Sequence, residues 1–463
     1  MSGASFLYGN HLRERSRRAD VGVSSQIAQA RTGRFALRAE NPAGRSARVP
    51  DNAEEARRTF DTVYSLVKQH YVDKLPSDRT MSQSAVRSMV AALNDPNCYF
   101  LEPEQFQLLN AESRGHFGGI GASLIVRGTR QDGYTDYKIT VVSPLPGSPA
   151  QRAGLRPGDI ITHIDGKWIL GFDPYLKVNA LLEQARKAAP GDSETETVRR
   201  EADSARKRVQ GGIGLLAAQM ALRGDIKTLG RLKLSKDRRV LTVERAGEKN
   251  PLTVEVTPQS VDAPGLSSLT LSDGSGYVRI PLFTEKTADE FARALKSLPK
   301  DKGLVLDLRG NPGGMLESAM SVEAQLSPGN LFGYEVTSGG KQSPLKPASG
   351  ASDGSRPLVI LVDRGTASVA EALALSLTES GAGVTVGGRT FGDSTVQMAY
   401  KLPDGSAFVL TTGKMLSPRR QDWASLGVSP TISIAPNATE EQILGTAMST
   451  LRGRPQVAAR RVN

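Results

Sequence analysis

The chain is predicted to be a multidomain protein of α/β and α+β class, with a helical N-terminal region ahead of a sheet-rich segment and an α/β core. Three observations predict this. Its 463 residues exceed what one core of ordinary size can organise. Apolar residues recur at spacings of three and four soon after residue 53, whereas strand-like and helix-like runs alternate from Gly276 onward. The 47 Gly and 26 Pro supply many turns, which does not suit a helical bundle.

Residues 1–52 read as a disordered basic tail. Its first fifty residues hold nine Arg and no Lys against Glu14, Asp20 and Glu40, a net +6 out of the chain's +11. The excess charge is therefore assigned to a solvated extension, and no nucleic-acid partner is expected. An Arg-rich, acid-poor start is also the composition of a transit peptide. No apolar stretch of a secretory signal is visible, and no run approaches 18 apolar residues, so no transmembrane segment is expected. The single Cys98 excludes an intramolecular disulfide.

Residues 53–112 read as helical. Phe60, Val63, Tyr64 and Val67 share one face, Met89, Val90 and Leu93 continue the pattern, and Asp95-Pro96 ends it. Residues 113–258 open with Phe117-Gly118-Gly119-Ile120-Gly121-Ala122 and the strand-like Tyr137 to Val142. Gly147-Ser148-Pro149-Ala150, Ala153-Gly154-Leu155, Pro157-Gly158-Asp159-Ile160-Ile161 and Ile164-Asp165-Gly166 follow in order. This ordered series resembles a PDZ domain. Glycines in its opening loop let backbone N–H groups converge on a peptide's terminal carboxylate, while the adjoining strand edge accepts the peptide as an added strand. Phe117, Gly118, Gly119, Ile120 and Gly121 are thus the expected peptide-binding residues.

The PDZ-like segment is interrupted by an insertion of about 180–232. Within it Val198, Ala202, Ala205, Val209, Ile213 and Leu216 form an Ala-rich stripe, flanked by the i,i+4 pairs Glu196–Arg200 and Asp203–Lys207. It reads as a helix or helical hairpin packed on its own domain, with self-association through 190–230 as the alternative. Val240 to Val243 and Leu252 to Val256 then read as a closing hairpin.

Residues 259–435 read as the α/β core. Tyr277 to Ile280, Leu304 to Leu308 and Leu358 to Val362 are strand runs, alternating with helical Thr287 to Leu298, Leu316 to Leu326 and Ser368 to Leu377. Residues 436–463 read as a C-terminal helix and tail.

Ser368 follows an apolar strand and the turn Gly365-Thr366-Ala367, at the start of a helix where backbone N–H groups are free. A serine there is also an ordinary N-cap. Asp393 lies 25 positions after Ser368 and Gln397 four further, within Phe391-Gly392-Asp393-Ser394-Thr395-Val396-Gln397. Together with Arg309-Gly310-Asn311-Pro312-Gly313-Gly314, these segments resemble the C-terminal processing, or tail-specific, serine peptidases over roughly residues 55–435.

That resemblance implies a nucleophile at Ser368, an orienting amide at Gln397, and an oxyanion hole from the N–H of Val369 and that of Gly313 or Gly314. It implies protein C-termini as partners and a place outside the cytoplasm, which the visible sequence does not address. The family has a lysine base where this chain has Asp393, and Ser394 replaces its usual glycine. A carboxylate is shorter, and its ordinary pKa of about 3.9 makes it a weak base unless burial raises it. The expected function is therefore a serine endopeptidase with an altered base, the alternative being an inactive pseudopeptidase that binds protein tails. Lys401 and Lys414 read as solvated surface lysines. His11, His70, His116 and His163 lack the paired spacing of a metal site, and no Gly-rich loop has a nucleotide-binding pattern, so no metal or cofactor is expected.

Overall fold

The computed structural model describes residues 52–131, 134–171, 200, 211–347 and 356–453. The chain divides into two compact units, Met1–Leu93 and Asn94–Asn463. In the first, helix α1 (Ala53–His70) is capped by the Asn52 side chain, which accepts the Glu55 N–H. Helix α2 (Asp78–Ala91) is capped by Ser77. Lys68 near the end of α1 bonds Asp78 at the start of α2 at 3.0 Å, and Phe60 stacks on Tyr64.

The second unit begins with β1 (Tyr99–Leu101) and α3 (Pro103–Ser113). A sheet-rich body follows: β2 (His116–Phe117), β3 (Ala122–Gln131), β4 (Tyr134–Pro144), β5 (Ile160–Ile164), β6 (Lys167–Leu170), β7 (Ile213–Gly214), helices α4 (Leu215–Leu222) and α5 (Ile226–Leu232), then β8 (Arg239–Glu244), β9 (Leu252–Val256) and β10 (Val261–Asp262). Its main sheet runs β3-β4-β5-β6-β7, with β8 and β9 joined through β5. Among the described residues β3 pairs only with β4, so its other edge carries no further strand, although the Val126 carbonyl accepts Asn97 Nδ2 at 3.3 Å.

The helical stripe from Val198 to Val209 falls almost wholly outside the described residues. The later part of the expected insertion packs into this body's own core: Ala218, Ala221, Leu222 and Leu229 of α4 and α5 cluster with Ile120, Val141 and Ile161. The N–H of Ile120 donates to the carbonyl oxygen of Leu222 at 2.9 Å, which seats the end of α4 on the glycine loop.

The rest of the unit comprises β11 (Ser267–Thr270), β12 (Gly276–Arg279), α6 (Thr287–Ser297), β13 (Leu304–Asp307), α7 (Leu316–Leu326), β14 (Gly333–Thr337), β15 (Gln342–Leu345), β16 (Leu358–Val362), α8 (Val369–Glu379), β17 (Gly383–Gly387), β18 (Thr395–Lys401), β19 (Ala407–Leu416), β20 (Ile432–Ser433) and α9 (Glu440–Arg452). A six-stranded sheet runs β11-β12-β13-β16-β17-β20, parallel from β12 onward. Its side chains alternate between two buried faces. Leu304, Leu306, Leu358, Ile360 and Val362 meet residues of α6, α7 and α8 on one face. Val305, Val359, Leu361 and Val386 meet Ala447 and Leu451 of α9 on the other. This is the α/β layer expected from the alternating strand and helix runs, and the structure covers it on both faces. A second, antiparallel sheet runs β1-β19-β14-β15, with β18 added along β19.

Candidate active site

Because β13 and β16 are parallel neighbours, the loops that follow them emerge at the same sheet edge. Side chains and backbone lash the two loops together. The N–H of Gly310 donates to Asp363 Oδ1 at 2.8 Å, and the Thr366 hydroxyl donates to the Leu308 carbonyl at 2.8 Å. The N–H of Ala367 donates to the Asn311 carbonyl at 2.9 Å. Gly314 has φ +118, and a Cβ there would lie 2.1 Å from the Phe283 carbonyl oxygen, so only glycine fits.

Ser368 caps α8 with φ 54 and ψ −124, a backbone that a non-glycine residue adopts only under constraint. A Cβ on Gly313 would stand 2.8 Å from the Ser368 Cβ, so the glycine backbone lies directly against this side chain. The N–H of Gly313 is spent on Asn311 Oδ1 at 2.8 Å. Among the described residues, the N–H groups of Gly314 and Val369 donate to nothing else.

Glu371, one turn into α8, is fully buried. Its carboxylate accepts the N–H groups of Ser368 (3.0 Å), Gly392 (2.7 Å) and Asp393 (2.8 Å), and also the Thr390 hydroxyl. Burial pushes its pKa up to about 7, against the pull of these donors, with Asp393 adding a small push upward. Asp393 thereby sits at the end of a loop pinned to the helix that carries Ser368. Its Oδ1 accepts the N–H and hydroxyl of Thr395 at 3.0 and 2.7 Å. Burial raises its pKa above the ordinary carboxylate range, while Thr395 and Arg127 act in the opposite direction. Among the described residues, no hydrogen bond joins its carboxylate to Ser368.

A cleft of about 610 Å³ brings much of the predicted site together: Ser368, Val369, Gly314, Asp393 and Gln397 all line it. Its lining also includes Ser123 to Val126 of β3, the strand that pairs with β4 on one side, together with Gln219 and Arg223. Arg223 is the one Lys or Arg among the lining residues, and its Nε donates to both Glu112 oxygens at 2.9 and 3.1 Å. Phe117 to Gly121 do not line the cleft. In that loop the Ile120 N–H goes to Leu222 and the Gly121 N–H to the Gly118 carbonyl at 3.3 Å. Lys401 and Lys414 also lie off the cleft, and Lys414 is exposed and paired with Asp422 at 2.7 Å.

Two residues absent from the sequence-based list shape this centre. Glu371 had a local signal, since Ser368-Val369-Ala370-Glu371 has the capping-box spacing. Arg127, on β3, reaches the carbonyl oxygens of Phe391 and Gly392 and had none.

Residues 274–434 match the model of Peptidase family S41, and residues 140–189 match that of the PDZ domain. The chloroplastic C-terminal processing peptidase of Tetradesmus obliquus is 30% identical over 382 residues, covering 82% of this chain and 74% of that protein. The carboxy-terminal processing protease CtpB of Bacillus subtilis is 27% identical over 397 residues, covering 84% and 70%. The solved structure of a photosystem II D1 C-terminal processing protease aligns with 84% of this chain and 94% of its own, at a TM-score of 0.57 and 26% identity.

Proposed function

Because this chain belongs to the C-terminal processing serine peptidases and carries their PDZ domain, we propose that it hydrolyses peptide bonds in proteins engaged by their C-terminal tails, with Ser368 as nucleophile. The observation that carries the reading is the single cleft joining β3 to Ser368, Gly314, Asp393 and Gln397. In this reading residues 113–258 receive the tail and residues 259–435 cleave it. An extended tail added to β3 supplies its own backbone N–H and C=O groups to the strand edge, so affinity needs little side-chain matching.

The Ser368 hydroxyl attacks the scissile carbonyl, and the carbonyl oxygen gains negative charge. The N–H groups of Gly314 and Val369 are the free donors positioned to receive it, the second at a helix N-terminus where the peptide dipoles favour an anion. Asp393 takes the hydroxyl proton as general base. Its raised pKa makes it a better proton acceptor than an ordinary carboxylate. The proton passes to the leaving amine, and water then releases the acyl group from Ser368. Gln397, which lines the same cleft, orients the reacting groups.

One observation favours a second reading. Asp393 Oδ1 is engaged by Thr395 rather than by Ser368, which suits a pseudopeptidase that binds tails without cutting them. The deciding experiment compares the natural chain with Ser368→Ala for cleavage of an unfolded protein and for acylation by a fluorophosphonate. Ser368-dependent cleavage supports the enzyme. Tail binding with neither cleavage nor acylation supports the pseudopeptidase.

A further inference from the structure

Arg127 belongs to β3, the strand whose residues Ser123 to Val126 line the cleft, yet its side chain serves the loop before Asp393. Its Nη2 donates to the carbonyl oxygens of Phe391 at 2.9 Å and Gly392 at 2.8 Å. Its guanidinium carbon lies 3.8 Å from the centre of the Phe391 ring, a stacked cation–π contact. Burial pulls its pKa down, while Asp393 and Glu371 support its charge and Arg364 opposes it. A half-buried cation is costly unless carboxylates face it, and here both available carboxylates belong to the Ser368 centre.

We propose that Arg127 is the positioning cation of this centre: held on the Phe391 and Gly392 carbonyls, it sets its charge beside the Asp393 loop without a direct ion pair, so that the positive charge a lysine at 393 would carry is supplied instead by β3. This rests on the assignment of Ser368 and Asp393 made above. The departure at 393 is then an exchange, with a carboxylate on the loop and a cation on the strand that receives the tail. Restoring lysine at 393 alone sets a second cation near Arg127, and neighbouring like charges repel. A lysine there functions only once Arg127 is neutral.

The test uses the full chain and four variants: Arg127→Lys, Arg127→Met, Asp393→Lys, and Arg127→Met with Asp393→Lys. Two quantities are read for each, the rate constant for fluorophosphonate acylation of Ser368 and the melting temperature. Asp393→Lys alone is expected to melt lower than the natural chain and to acylate no faster. Adding Arg127→Met is expected to recover the melting temperature and to raise acylation at least about tenfold over the single variant, within the usual range of general-base assistance. Arg127→Lys, which keeps the charge, is expected to acylate faster than Arg127→Met.

Independent, additive effects of the two substitutions on melting would overturn the coupling. So would an Asp393→Lys chain that matches the double variant in both readouts, or equal acylation by Arg127→Lys and Arg127→Met. If Ser368 acylates in none of the five proteins, the peptidase assignment falls, while the melting cycle still decides whether Arg127 and Asp393 are coupled.

Discussion

The backbone N–H groups of Ser368 and Asp393 converge on one oxygen, Oε2 of Glu371, at 3.0 and 2.8 Å. The two positions on which the chemistry turns are thus spaced by a third, buried residue and not by contact with each other. The other oxygen of Glu371 receives Gly392 and Thr390, so a single carboxylate fixes the loop to the helix.

Glu371→Gln tests that arrangement. An amide offers one acceptor oxygen and adds two N–H donors in a place already filled by four donors. At least one buried donor loses its partner, at a cost of about 1–3 kcal/mol. Ser368 acylation is expected to drop at least about tenfold with a lower melting temperature. An unaltered acylation rate would mean that the loop is held by other contacts.

Ser368→Gly is expected to inactivate the protein and to stabilise it. The backbone at φ 54, ψ −124 costs a serine about 1–3 kcal/mol, and glycine largely escapes that cost. Part of the gain is lost to the greater freedom of glycine in the unfolded chain. Melting temperature read beside Ser368→Ala checks this: the glycine variant should melt above the alanine one, and the reverse order would refute backbone strain.

Stability is expected to fall as pH rises from about 5 to about 8, partly through Glu323. This fully buried carboxyl, bonded to the Ser376 hydroxyl, has its pKa pushed by burial from 4.5 up to about 7. The folded chain therefore holds the proton more tightly than the unfolded chain. The contribution is complete below the unfolded value and is lost as pH climbs through the folded one. Glu323→Gln imitates the protonated form and should remove up to about 3 kcal/mol of that slope. Glu371 is raised in the same direction and leaves a remainder. Denaturant unfolding at several pH values measures both, and an unaltered slope in the variant would discount Glu323.

Amidating the C-terminus of a bound peptide is expected to weaken binding about tenfold, the effect of losing one charge-assisted contact. The group left to meet the carboxylate is Arg223 Nη2, since its Nε is held by Glu112 and its Nη1 by Gln219, and the Ile120 and Gly121 N–H groups are already committed inside the fold. Equal affinity for free-acid and amidated peptides, measured by fluorescence anisotropy, would leave only the strand edge as the recognition element.

The α/β layer was legible because its strands are short, uninterrupted apolar runs, and Leu304 to Leu306 and Leu358 to Val362 are buried on both faces. Ser368 was legible from its strand–turn–helix setting. The choice between Gly313 and Gly314 was not, because it depends on where the Asn311 side chain points. The apolar pattern of the expected insertion suited a helix packed on its own domain and a self-association surface equally well. Only its contacts with Ile120 and Val141 separate the two. Arg127 could not be found locally at all, since its partners lie some 264 residues away and nothing in β3 marks one polar position above another.

The unpaired edge of β3 carries one further implication. An open strand edge invites pairing with the same strand of a neighbouring molecule, the first step of sheet-to-sheet aggregation. Here the stretch Ser123 to Val126 lines the same cleft as Ser368 and Asp393. A loose single strand enters such a cleft more readily than the rigid edge of a folded domain does. A cleft that would bring a tail to the hydroxyl would by the same shape disfavour edge-to-edge pairing of copies.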